Sequence, residues 1–479
     1  MNILFISSEI IPFASSGGLG DVCAALPKAL SRNNKNIISV MPLYGCIDKK
    51  KYSIKSTGLK LNISFSNSMH IGNVFSQSYE NITTYFIQSN DFFDREYLYG
   101  DEYGDYDDNF ERFLFFQKAV VQLIDLLNLK IDIVHCNDWQ SSLIPIFLKY
   151  GTQGKLRFGN EKTLLTIHNL AHQGIFDNKK FYLMQLPLSC FSDKMLEFYG
   201  NLNCFKGGLI EADAVNTVSP SYAREILLEE NGRSLHGVLN SRSDKIHGIL
   251  NGVDYERWSP DSDSYIKCNY SINDLSGKII CKKNLQEILN LEQRPNVPLI
   301  SMVSRLTHQK GLDLLAESFE QLMTKDVQII FLGTGELKYE EQIKNLEKNW
   351  PNKIAAKIEF SSSLAHKFFA GSDMFLMPSM FEPCGQSQIF SMRYGTIPIA
   401  FQTGGLIDTI IDYPKKSSTG FLFNDFNSIS FLEKIDFAIE TYNDSSKWSK
   451  IVKRAMKSDF SVNQMSINYI NLYQKILSN

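Results

Sequence analysis

Arg305 and Lys310 lie five residues apart in Ser304-Arg305-Leu306-Thr307-His308-Gln309-Lys310-Gly311, directly after the apolar run Val297 to Val303. A planar guanidinium and a compact ammonium are the two kinds of cation used on phosphates. Open α/β sheets bind ligands at the carboxyl ends of such strands. A solvated loop with two surface cations is the plain alternative. Downstream, Phe381-Glu382-Pro383-Cys384-Gly385-Gln386-Ser387-Gln388 follows another apolar run, Phe375 to Met377. A Pro-Cys-Gly turn opening a helix exposes the amides of Cys384, Gly385 and Gln386, which suit sugar hydroxyls. Glu382 could accept from a hydroxyl or balance developing positive charge. The alternative there is a helix whose N-terminal acid is stabilised by the dipole.

Two glycine doublets sit where a buried strand gives way to a helix: Gly17-Gly18-Leu19-Gly20-Asp21, and Thr403-Gly404-Gly405-Leu406. Such turns bring backbone N–H groups close to an anion, and the helix dipole favours negative charge there. One in each half suggests a nucleotide-type ligand held between two α/β domains. Neither doublet has G-x-G-x-x-G spacing, which argues against a nicotinamide-linked dehydrogenase. His168 and His172 are four apart at another strand exit, but no Glu follows His168 as in the zincin pattern, so no metal is expected. His135-Cys136-Asn137-Asp138-Trp139 supplies a carboxylate beside an indole, which in isolation reads as structural.

The elements that must carry these residues alternate, apolar runs with helical stretches, as parallel sheets covered by helices require. In the first half the strands are Ile3 to Ile6, Ile37 to Val40, Ile131 to Val134, Leu164 to Ile167 and Ala214 to Val218. In the second they are Val297 to Val303, Val327 to Leu332, Phe375 to Met377, Ile397 to Ala400 and Gly420 to Phe423. Val22, Leu26 and Leu30 repeat at helical spacing, with Pro27 expected to kink that helix or displace its start. Ser259 to Ser276, rich in Ser, Asp, Asn and Tyr, reads as the interdomain connection. Asp91 to Asp108 reads as a long surface excursion.

A chain of 479 residues exceeds one ordinary core, so two domains are expected. With 49 basic and 52 acidic residues the net charge is −3, which offers no sign of a nucleic-acid or anionic-membrane partner. The eight cysteines form no C-x-x-C pair, so disulfides and zinc are not expected and a reducing, cytoplasmic compartment fits. There is no basic leader and no uninterrupted apolar stretch of about 18 residues. A plastid stroma would suit a plant-type lineage, although no transit peptide is read.

Together the segments resemble the bacterial glycogen synthase and plant starch synthase family. The resemblance runs in order through Ser8-Glu9 to Val22, Tyr106 to Phe113, Asn137-Asp138-Trp139, Thr166 to Gly174, Thr217 to Pro220 and Asn251 to Asp254. It continues through Ser304 to Gly311, Pro378 to Gly385, Met392 to Thr396 and Thr403 to Leu406. It implies the α/β GT-B arrangement, two Rossmann-like domains with parallel sheets facing across a cleft. Their expected bounds are 1–245 and 246–460, with a helix over 461–479 returning to the first domain. It implies retaining transfer of glucose from ADP-glucose to the non-reducing end of an α-1,4-glucan, with no cofactor. Oligomeric state stays open. Arg305 and Lys310, with the Gly18 amide, would neutralise the departing diphosphate. Glu382 and the amides of Cys384, Gly385 and Gln386 would hold glucose hydroxyls. His168 and Asn251 would bind near glucose O6, Asp138 would line the acceptor side, and Phe360 would stack on adenine. The turns at Gly17 and at Thr403, Gly404 and Gly405 complete the expected donor site.

The chain departs from the family at four places. Ser15 stands where a donor-binding Lys is usual, Met380 and Gln402 stand where Arg is usual, and Gln386 replaces Leu. Loss of one preorganised donor can cost on the order of 10²–10³ in rate. Two expectations therefore stand: an active ADP-glucose-dependent glucan synthase, or a weakly active glucan- or nucleotide-binding paralogue with a priming or regulatory role.

Overall fold

The computed structural model describes residues 1–65, 68–102, 104–151 and 160–478. The chain forms two compact units, Met1–Gly252 with Val462–Asn479, and Val253–Ser461.

The first unit is built on a nine-stranded sheet. Its strands are β1 (Asn2–Ile6), β2 (Asn36–Pro42), β3 (Lys55–Phe65), β4 (Ser68–Tyr79), β5 (Ile82–Gln88), β6 (Ile133–Asn137), β7 (Lys162–Ile167), β8 (Ala214–Thr217) and β9 (Ile246–Gly248). They lie in the order β9-β8-β7-β6-β1-β2-β5-β4-β3. All pairings are parallel except β4 with β3 and with β5, which form an antiparallel meander at one edge. Ile3 to Ile6 of β1 are apolar and buried, and every residue of β6 is buried, as strands covered on both faces must be. β3 instead alternates exposed and buried positions, the pattern of a half-solvated edge.

β9 belongs to this sheet through β8, so residues 246–252 lie in the first unit rather than beyond the expected boundary at 245. Val462–Ser478 forms a helix of the same unit, burying Met465, Tyr469, Leu472, Tyr473 and Ile476. The first helix runs unbroken from Gly18 to Arg32 with Pro27 inside it, so proline does not displace the start. The stretch 91–108 is more than a surface excursion. Phe92 and Phe93 are buried, Arg95 pairs with Asp108 at 2.5 Å, and the Tyr99 hydroxyl reaches Glu9.

The second unit holds an all-parallel sheet of six strands: β10 (Leu299–Val303), β11 (Gln328–Leu332), β12 (Ile354–Lys357), β13 (Met374–Met377), β14 (Ile397–Phe401) and β15 (Phe421–Phe423). Their order is β12-β11-β10-β13-β14-β15. Ser259 to Ser276 is not a connection between halves. It packs inside this unit, burying Asp263, Ile266 and Tyr270, whose hydroxyl donates to the Tyr394 carbonyl at 2.8 Å. Its polar composition misled because those polar groups are partnered by the core. Among the described residues no helix is long and apolar enough to cross a membrane.

Candidate functional site

In the second unit, the loops leaving the adjacent strands β10 and β13 are stitched together. The Gln309 side chain donates to the Phe381 carbonyl at 2.9 Å, and the Met380 amide donates to the Gln309 carbonyl at 2.9 Å. Gly311 holds φ +75°, and a Cβ there would run into the Pro378 carbonyl oxygen, so only glycine allows this approach. The result brings Lys310 Nζ to 2.6 Å from Glu382 Oε2, with both side chains largely buried. Arg305 is exposed, and no side-chain partner for it is found among the described residues.

After Glu382 the backbone turns through Gly385 at φ +67° into the helix Ser387–Arg393. Among the described residues the amides of Gly385 and Gln386 donate to no protein group. Gly405 closes on Cys384: its amide donates to the Glu382 carbonyl at 3.0 Å, and a Cβ would meet the Cys384 backbone. That amide is therefore occupied, so Gly405 acts on the neighbouring turn and cannot itself donate to a phosphate. Thr403 and Gly404 are buried beside it at the exit of β14. Phe360 follows β12 and is 93% exposed, so its ring faces are open to stacking.

In the first unit, the glycine turn hangs from a carboxylate. Glu9, buried just past β1, accepts from the Ser16 amide and hydroxyl, each at 2.6 Å, and from Tyr99 at 2.7 Å. Gly17 and Gly18 are exposed at the start of the helix Gly18–Arg32, and their amides have no partner among the described residues. Ser15 is spent locally, its hydroxyl donating to the Gly17 carbonyl at 2.9 Å.

At the ends of β6 and β7, Asp138 accepts from the His168 amide at 2.8 Å. Asp138 has φ +55° and ψ −175°, a region that costs a non-glycine residue on the order of 1–3 kcal/mol and clusters at functional sites. Burial raises its carboxyl to about 7, with nearby Glu9 adding to the effect and two backbone N–H bonds opposing it. Asn137 donates to the Ile6 carbonyl at 2.9 Å, so its Oδ1 must accept from His168 Nε2, 2.8 Å away. Burial drops His168 to about 3, so it is neutral with the proton on Nε2, and Nδ1 is left as an acceptor. Asn251 lies beyond β9, buried, with its Oδ1 unpartnered among the described residues.

The structure thus groups Arg305, Lys310, Glu382, Cys384, Gly385, Gln386, Thr403, Gly404 and Gly405 at strand ends of one sheet. Asp138, His168, Ser15, Gly17 and Gly18 gather at strand ends of the other. Phe360 follows the edge strand β12 of the first of these sheets, and Asn251 follows the edge strand β9 of the other. Glu9 and Asn137, which orient the glycine turn and the His168 ring, had no assigned role. Their signal was position, each standing at or just after a strand's last residue.

Residues 2–241 match the starch synthase catalytic domain family, and residues 286–455 match glycosyl transferases group 1. A glycogen synthase of Geotalea daltonii is 40% identical over 480 residues, covering 100% of this chain and 99% of that protein. The chain belongs to the glycogen and starch synthase family. Within that family a glycogen synthase of Thermotoga petrophila is 41% identical over 488 residues, again across 100% and 99% of the two chains. The catalytic domain of starch synthase IV from Arabidopsis thaliana, solved bound to ADP and acarbose, superposes with a TM-score of 0.90 at 29% identity, covering 100% and 99%. Sucrose-phosphate synthase from Thermosynechococcus elongatus, at 17% identity and a TM-score of 0.62, shares the fold. The fold is GT-B, and the protein is a glycosyltransferase of the glycogen/starch synthase type.

Proposed function

We propose that this chain transfers glucose from ADP-glucose to the non-reducing end of an α-1,4-glucan with retention of anomeric configuration. The Lys310–Glu382 pair carries the reading, with Arg305 on the Lys310 loop and no side-chain partner found for it among the described residues. It puts two cations and a carboxylate at the carboxyl ends of adjacent strands, where a sugar diphosphate needs them. ADP and acarbose bound to the starch synthase IV relative support the donor and acceptor classes.

In this mechanism Arg305 and Lys310 neutralise the departing diphosphate, and the Gly18 amide donates to it. The amides of Gly385 and Gln386, with Glu382, hold glucose hydroxyls. His168 Nδ1 accepts from the O6 hydroxyl with Asn251 beside it, Asp138 faces the acceptor, and Phe360 stacks on adenine. The acceptor 4-hydroxyl attacks the anomeric carbon on the face the phosphate leaves. The carbon–phosphate oxygen bond breaks, the new glycosidic bond forms, and the hydroxyl proton passes to the phosphate. No protein nucleophile is required.

Ser15 favours the second reading, a paralogue that binds glucan or nucleotide and turns over poorly. Its hydroxyl is engaged by Gly17 and supplies no positive charge. Incorporation of [14C]glucose into glycogen, measured with ADP-glucose and UDP-glucose side by side, separates the two. Incorporation from ADP-glucose supports synthesis. Its absence with both donors, alongside intact glucan binding, would establish the paralogue.

A further inference from the structure

A continuous polar chain crosses the buried core of the first unit, from the C-terminal helix to the two strands that lead into Asp138 and His168. Tyr473, His135, Thr166, Asn216 and Tyr469 are all 0–1% exposed. The Tyr473 hydroxyl lies 2.7 Å from His135 Nδ1, and His135 Nε2 lies 2.6 Å from the Thr166 hydroxyl. Thr166 donates to Asn216 Oδ1 at 2.5 Å, and the Asn216 amide donates to Tyr469 at 2.9 Å. A second, longer bond to the Thr217 carbonyl fixes which end of Asn216 is the amide.

The proton order then follows. Asn216 Oδ1 can only accept, so Thr166 donates to it and must accept from His135 Nε2–H. His135 Nδ1 is left as a lone pair, filled by the Tyr473 hydroxyl proton. Every link is satisfied in one direction only, and a buried network in that state holds a single arrangement.

The same strands carry the site. His135 and Asn137 are two apart on β6, and Thr166 and His168 span the end of β7, so each pair shares a sheet face. The chain and the Asn137–His168 bond are successive rungs, and the Asp138 amide donates to the Thr166 carbonyl at 3.0 Å. Asp138 has a backbone conformation that its surroundings must enforce. The same helix also grips the helix behind the glycine turn, Asn33 donating to the buried Ser466 hydroxyl at 3.0 Å.

We propose that Tyr473 and Tyr469 of the C-terminal helix, acting through His135, Thr166 and Asn216, are positioning residues for Asp138 and His168. The helix is then part of the sugar-handling machinery as well as of the core. The proposal rests on the roles given above to those two residues.

The test is Tyr473→Phe in the full chain, which removes one hydroxyl and keeps the ring. Its kcat should fall by about tenfold to 10²-fold, as small misplacements far from the chemistry do, with ADP affinity unchanged by calorimetry. Ile476→Val trims a buried apolar contact on the same helix and serves as the structural control, its kcat expected to stay near wild type. Imidazole 15N spectra should show His135 and His168 protonated on Nε2 in the wild type, and both signals displaced in Tyr473→Phe. Equal kcat in the two variants, or His168 signals unmoved by Tyr473→Phe, would overturn the proposal. The spectra read the network even where no transfer is detected, so failure of the functional reading would be seen separately.

Discussion

At the scale of single residues, the candidate-site carboxylates of the two units sit in different surroundings. Glu382 Oε2 lies 2.6 Å from Lys310 Nζ, so a charge-assisted hydrogen bond fixes where the carboxylate points. Glu382→Gln keeps shape and hydrogen bonding while removing the charge. It should lower kcat on the order of 10²–10³-fold with the fold retained, as steady-state transfer assays and circular dichroism would show. Alanine is a poorer probe, because it would leave the shielded Lys310 ammonium without its counter-charge. The Asp138 carboxyl is raised by burial to about 7. The folded chain therefore holds a proton there that the unfolded chain releases near pH 4. The resulting stability is complete below about pH 4 and lost as pH rises through 7, by about 1.4 kcal/mol per unit within that window. Wild type should lose stability relative to Asp138→Asn over that range, with the gap levelling off above it, measured by denaturant unfolding at a series of pH values.

At the scale of elements, what aligns the reactive groups is close backbone approach at strand ends. The His308–Lys310 turn is followed by Gly311 at φ +75°, its Cα against the Pro378 carbonyl, and this contact sets where Lys310 emerges. Gly311→Ala adds both backbone strain and a collision. It should cost more than about 1 kcal/mol of second-unit stability and move Lys310 away from Glu382. Calorimetry would report the first effect and a raised KM for the proposed donor, ADP-glucose, the second. Neither was visible as a number in the sequence, but the glycine's place after Lys310 was. The turn at Gly404 and Gly405 was legible as a glycine-rich helix start. That the Gly405 amide is consumed by the Glu382 carbonyl was not, because the contact joins residues 23 apart on different loops.

At the scale of the whole molecule, each unit carries its own buried polar anchor. In the second unit Asp263 meets His366 Nδ1 at 2.7 Å and the Tyr394 hydroxyl at 2.5 Å, with Trp258 stacked on the imidazole at 3.9 Å. Burial works against the Asp263 carboxylate, but the bonds from His366 and Tyr394 outweigh it and leave its pKa below the ordinary value. Asp263→Ala takes the shared acceptor away from two buried groups, so it should remove on the order of 1–3 kcal/mol from the second unit. The first unit should be untouched: in a thermal scan one transition moves down, while the His135 imidazole signals persist to their original temperature. This anchor lies in the segment whose composition had suggested a linker, and its partners lie about 100 and 130 residues downstream.

Local chemistry was enough to expose the alternation of strands and helices, the two glycine turns, the cation pair on one loop and the carboxylate on another. Each depends on neighbours within about ten residues, where side-chain type and backbone preference act directly. Ordered motifs along the chain were enough for the family. Tertiary structure alone decided that β9 joins the first sheet, that 259–276 is core, and that Glu9 holds the glycine turn. It also decided that His135 is locked between the C-terminal helix and Thr166. Those outcomes turn on burial and on hydrogen bonds between distant residues. A polar side chain looks the same in a sequence whether water or another side chain satisfies it, and only the folded chain supplies the partner.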